Sequence, residues 1–188
     1  MALVILRFFL SPVILFVYYS GANPVWYMVI LTLAISSDFF DGVIARRLGV
    51  STDNLRSLDS WADTMFYLCV FVVAIGEYYN KVSEYWVPIV ILIGIELTRH
   101  AFDRYKFGKS ASYHMWSAKL WGLCLYLAFM QLLGFGETAY LFMLAIVVGI
   151  IADLEGLLAS VILSTWRADV PSLYHAIRIE KTQHVKIS

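Results

Sequence analysis

The chain has 188 residues, of which 61% are hydrophobic and 15% charged, with 14 Lys and Arg balancing 14 Asp and Glu. Soluble domains are about half apolar and a quarter charged, so this composition excludes an ordinary soluble domain and indicates an integral membrane protein. The zero net charge gives no reason to expect a nucleic-acid partner, and what matters is where the charges fall.

Apolar runs define six expected spans, at roughly 3–20, 25–47, 57–79, 85–103, 114–134 and 138–163, each near the length of about twenty residues that crosses hydrocarbon. The expectation is therefore an all-α integral membrane protein, a bundle of six transmembrane helices in one domain over residues 1–165. A polar tail, 166–188, can form a short amphipathic helix on the membrane surface.

The first span carries Arg7 and Pro12, and Ser20-Gly21-Ala22 follows it. These are also elements of a signal peptide, but the run is read as a span, since a proline kink is tolerated where neighbours satisfy the freed carbonyl. The second span carries Asp38 and Asp41 near its end, and the third carries Asp59 and Asp63 near its start. Spacings of three and four residues put each pair on one helical face, so the two faces can converge on a common centre. An unpaired Asp costs about 2.5–3.5 kcal/mol at mid-bilayer, and four would forfeit about 10 kcal/mol, less near the interface. Such a ring of carboxylates wants cations. Hard divalent ions prefer carboxylate oxygens, and Mg²⁺ or Mn²⁺ takes them together with phosphate oxygens and water.

Placing the first residue on one side of the membrane puts Arg7, Arg46, Arg47, Arg56, Arg99, Arg104, Lys106, Lys109, Arg167, Arg178, Lys181 and Lys186 on that side, against Lys81 on the other. The positive-inside rule then places both termini and the acidic cluster at the cytoplasmic face. The fourth and fifth spans and the loop between them bring Arg99, Lys109, His114 and Lys119, a second polar set that can bind an acceptor bearing its own phosphate. The competing reading for the loop charges is topology and headgroup contact. Lys119 falls within a span, where a structural ion pair with Glu96, Asp153 or Glu155 competes equally with an acceptor role. His114 reads as an interfacial hydrogen-bonding residue rather than a metal ligand. Cys69 and Cys124 are small packing residues inside spans. Trp26, Trp86, Trp116 and Trp166 mark interface belts.

The stretch from Asp38 to Asp63 follows D-x2-D-G-x2-A-R-x12-D-x3-D, built from Asp38, Asp41, Gly42, Ala45, Arg46, Asp59 and Asp63. This spacing resembles the signature of the CDP-alcohol phosphotransferase family, class I, membrane enzymes of phospholipid synthesis. The resemblance implies that Asp38, Asp41 and Asp59 hold one divalent ion, and Asp38, Asp59 and Asp63 a second. It implies Asp63 as general base, and contacts from Gly42, Arg46 and Thr52 to a CDP-linked lipid donor. It also implies a small alcohol acceptor, CMP as leaving group, surrounding membrane lipids, a homodimer, and residence in a bacterial or archaeal cytoplasmic membrane. Gly42 can equally serve helix packing, and Arg46 a positive-inside anchor.

One position departs from the family pattern: Leu55 stands where a glycine four residues before the third Asp is usual, which bears on how closely a nucleotide can approach the backbone. Within the family, the Leu6-Arg7…Pro12 opening resembles phosphatidylglycerophosphate synthases. Phosphatidylinositol-phosphate, phosphatidylserine and phosphatidylcholine synthesis share the signature. The rival from another class, an ion or proton transporter, expects acids spread through the membrane depth; here they cluster at one end.

Overall fold

The computed structural model describes residues 2–48, 53–109, 113 and 115–187, with the side chains of 2–3, 41–48, 53–57, 139 and 183–187 outside the description. Among these residues the chain is entirely helical apart from short connections. The helices are α1 (Ala2–Tyr19), α2 (Val25–Leu48), α3 (Asp53–Ser83), α4 (Trp86–Phe107), α5 (Trp116–Phe135), α6 (Ala139–Ile162) and α7 (Leu173–Ile187). The stretches Leu58–Ser83, Trp116–Phe135 and Tyr140–Ile162 are long and apolar enough to cross a membrane, and Val4–Tyr19 and Val25–Phe40 are shorter apolar helices. Large apolar side chains such as Phe9, Phe16, Leu68, Val90, Val147 and Ile151 are exposed on these helices, the surface that lipid solvates and water does not.

Helix ends follow local chemistry. The α1 terminus is a Schellman turn, in which Ala22 N–H donates to Val17 O at 3.3 Å and Gly21 N–H to Tyr18 O at 3.1 Å. Gly21 takes φ 61° there, a conformation that costs glycine little. Asn23 then caps α2, its Oδ1 accepting from Val25 N–H at 3.0 Å, and Pro24 occupies the first-turn position where a missing N–H is harmless. Helix α3 runs 31 residues with a kink at Tyr78. Lys106 closes the end of α6 by donating to the carbonyls of Ser160 and Val161, each at 2.9 Å, groups that a helix terminus leaves without intrahelical partners.

The chain divides by contact into two units, Met1–Glu84 with Tyr126–Leu141, and Tyr85–Leu125 with Phe142–Ser188. In the first, α1 packs against α2 and α3. Each helix buries a stripe at spacings of three and four: Val4, Arg7, Ser11 and Ile14 on α1; Tyr27, Ile30, Leu31, Ala34 and Ser37 on α2; Ala62, Phe66, Val70, Val73 and Ala74 on α3. In the second unit, Tyr113, Met115, Ala159, Leu163, Val170 and Ala176 form a buried cluster, with Phe107, Leu173 and Ile179 packed against it. The apolar residues of α7 thus help build that core. Glu155 on α6 accepts from Leu173 N–H at 2.9 Å and so satisfies a donor in the first turn of α7.

Candidate metal centre

Continuing the α3 stripe toward its N-terminus leads from Phe66 and Ala62 to Asp63 and Asp59, and continuing the α2 stripe from Leu31 and Ala34 leads to Asp38. The buried faces are apolar along their length and acidic at one end. One carboxylate oxygen from each of Asp38, Asp59 and Asp63 lies within 4.8 Å of the others. An octahedral Mg²⁺ with oxygens at about 2.1 Å needs neighbouring ligands roughly 3–4 Å apart, so a small contraction of these side chains suffices. The donor set, oxygen only and anionic, is that of a hard divalent cation, and the three residues fit such an ion.

The charge that faces these carboxylates belongs to Arg7. Its side chain is 1% exposed, against 53% for Asp38, 28% for Asp59 and 36% for Asp63. Nη1 donates to Asp38 Oδ1 at 3.2 Å and also to Asp63 Oδ1, while Nη2 donates to Asp59 Oδ1. One guanidinium therefore ties α1 to both acid-bearing helices. Ser11 Oγ donates to the Arg7 carbonyl at 3.0 Å, one turn along the same face. In the sequence Arg7 reads as one more positive-inside charge, and the structure assigns it this different place.

Of the expected metal ligands, Asp38, Asp59 and Asp63 come together as described. Asp41 lies on α2, but its side chain is outside the described residues, as are those of Arg46 and Leu55. Gly42 is on α2, and Thr52 lies outside the described residues. Of the acceptor-site residues, His114 is also outside them, while Arg99, Lys109 and Lys119 belong to the second unit and each has its own neighbour. Arg99 Nε donates to Asp153 Oδ1 at 2.9 Å, with Asp153 only 3% exposed. Its aliphatic stem crosses Gly156, where a Cβ would stand 2.9 Å from Arg99 Cδ. Lys109 Nζ lies 3.4 Å from the centre of the Trp166 ring and Lys119 Nζ 4.7 Å from that of Trp116, both cation–π arrangements. Asp153 is thus engaged by Arg99, and Glu155 by Ser117 and the Leu173 amide.

Sequence reasoning passed over a buried polar group in the second unit. Tyr113 and Ser160 hydroxyls are 2.8 Å apart, and Ser160 donates to Asp103, which is fully buried. Asp103 stands among Glu96, Arg99, His100, Arg104 and Lys106 in the charged half of α4, so no local signal in the sequence separates it from these more exposed neighbours.

Long apolar helices that bring three carboxylates together at one end are the features of a membrane protein with a group of acids able to hold a hard cation. The family model for CDP-alcohol phosphatidyltransferase matches residues 1–174, and the chain belongs to that family, whose members are transferases of substituted phosphate groups. Comparison with curated proteins and with solved structures gave no match.

Proposed function

We propose that this transferase moves a phosphatidyl group from CDP-diacylglycerol, or a similar CDP-linked lipid, to glycerol 3-phosphate, releasing CMP. Family membership supplies the reaction class, and the convergence of Asp38, Asp59 and Asp63 carries the assignment of the centre. In this reading Asp38, Asp41, Asp59 and Asp63 hold two divalent ions, Mg²⁺ or Mn²⁺. Bound there, such ions neutralise charge on a diphosphate and on its leaving group.

Asp63 takes the proton of the acceptor hydroxyl as that oxygen forms a bond to the β-phosphorus of the donor. The bond from that phosphorus to the bridging oxygen breaks, CMP departs with the electron pair, and a phosphodiester remains. Gly42, Arg46 and Thr52 hold the donor, Arg46 through the guanidinium fork that suits phosphate. Arg99, Lys109, His114 and Lys119 attract the acceptor phosphate. The Lys and Arg asymmetry supports a cytoplasm-facing site in a six-span protein. The Leu6-Arg7…Pro12 opening supports glycerol 3-phosphate over inositol phosphate, serine or choline-type acceptors, and the family resemblance supports a homodimer.

The test is CMP release by the purified protein in lipid nanodiscs containing CDP-diacylglycerol, across a panel of acceptor alcohols. Release with glycerol 3-phosphate, silenced by EDTA and restored by Mg²⁺ or Mn²⁺, is the expected result. Release with none of the acceptors in either ion would refute the proposal.

A further inference from the structure

We infer that Arg7 is the built-in counter-ion of the Asp38–Asp59–Asp63 cluster, assembling the three carboxylates in the ion-free chain and competing with divalent cations for them. The inference rests on the metal reading of the site given above and concerns a residue to which that reading gives no role.

A guanidinium that is 1% exposed within an apolar helix is deprived of water on every side and is held there only if anions face it. Here they come from two other helices. Asp38 is contributed by α2 and Asp59 and Asp63 by α3, and Arg7 donates to all three. Because α1 packs against both of those helices, its side chain is positioned to draw their acidic ends together. Without Arg7, three carboxylate oxygens within 4.8 Å of one another would repel, a repulsion that water moderates because Asp38, Asp59 and Asp63 are partly exposed. Arg7 thus stabilises the same side-chain arrangement that an ion requires, before the ion arrives.

The cost of this arrangement appears on binding. The oxygens that accept from Nη1 and Nη2 are drawn from the carboxylates an ion needs, and a +2 charge placed among them meets the guanidinium at close range. Binding therefore requires the hydrogen bonds to Arg7 to be given up, wholly or in part, and Arg7 weakens the apparent metal affinity of the site. Arg7 is a positioning residue in this account: it acts on the carboxylates and not on the substrate.

The experiment measures Mn²⁺ binding to the purified full chain in nanodiscs, by the electron paramagnetic resonance signal of free Mn²⁺, and thermal unfolding in EDTA. The parent, Arg7→Gln and Arg7→Lys are compared. Arg7→Gln is expected to bind Mn²⁺ roughly ten- to a hundredfold tighter than the parent and to melt at a lower temperature in EDTA. Arg7→Lys keeps the charge but loses the fork that reaches three carboxylates, and its affinity is expected to fall between those of the parent and Arg7→Gln. Purifying Arg7→Gln in Mn²⁺ and titrating it with a calibrated chelator gives its affinity even where the ion-free variant unfolds. Equal or weaker Mn²⁺ binding by Arg7→Gln, with the parent binding normally, would overturn the exchange and leave the metal centre standing. Failure of the parent itself to bind Mn²⁺ would overturn the metal reading, and the exchange with it.

Discussion

Removing the Asp153 carboxylate isolates the second buried ion pair and separates packing from catalysis. Asp153 is 3% exposed and Arg99 18% exposed, with 2.9 Å between Nε and Oδ1. Truncation to Asp153→Ala strands a largely buried guanidinium, a change that costs about 3–5 kcal/mol in buried pairs. Since Arg99 keeps some exposure, the lower end, about 3 kcal/mol, is expected. For a chain of this size about 2–4 °C of melting temperature is lost per kcal/mol, so unfolding in nanodiscs should begin roughly 6–12 °C lower. The paired replacement Arg99→Met with Asp153→Leu should recover most of this loss, because it leaves no charge without a partner.

Kinetics then tests whether Arg99 serves the acceptor. With Asp153 gone the Arg99 head keeps, among the described residues, only its 3.3 Å hydrogen-bonding contact with His100 Nε2, and KM for glycerol 3-phosphate should rise by about tenfold while KM for the CDP-lipid stays unchanged. A melting temperature within about 2 °C of the parent would refute the energetic argument. A parallel rise in both KM values would refute the acceptor placement.

Two further outcomes follow from the geometry. Asp63→Asn keeps the shape of the side chain and removes its proton-accepting charge, so turnover should fall by at least about a hundredfold while bound CDP-lipid, measured by equilibrium dialysis, stays within a few-fold; near-normal turnover would remove Asp63 from the role of base. Gly156→Val places atoms where Arg99 Cδ lies 2.9 Å from an ideal Cβ, and the overpacking should cost about 1–3 kcal/mol and raise KM for the acceptor alone. An unchanged melting temperature and KM would show that Arg99 does not need that passage.

The acids at the site were legible because Asp is rare in apolar helices and because spacings of three and four fix a shared face without any knowledge of the tertiary fold. Asp59 and Asp63 stand out for that reason, and their stripe continues through Ala62 and Phe66 as periodicity requires. The helix ends were set in the sequence by apolar runs alone, which stop the fourth span at 103, whereas α4 continues to Phe107 and ends on Gly108; the turn chemistry of Gly21, Asn23, Pro24 and Gly108 is what stops and starts these helices. Long-range pairing was harder. Three partners could be proposed for Lys119 because Glu96, Asp153 and Glu155 all suit a cation, and no local rule reveals that Asp153 is engaged by Arg99.

Arg7 was obscure for a related reason. Helix α1 is apolar nearly all round, so its sequence has no polar face against which a buried face can be recognised, and Arg7 does not reveal which way it points. Charge counting offered the only available route. Four acids near one membrane face leave a deficit of positive charge, which divalent cations can fill from solution but which a neighbouring span can also fill from its own sequence. The structure supplies the second source at Asp38, Asp59 and Asp63, while the chemistry of the family requires the first. Both demands are met if one site accommodates either cation in turn, and an arginine suits the exchange because its charge is permanent.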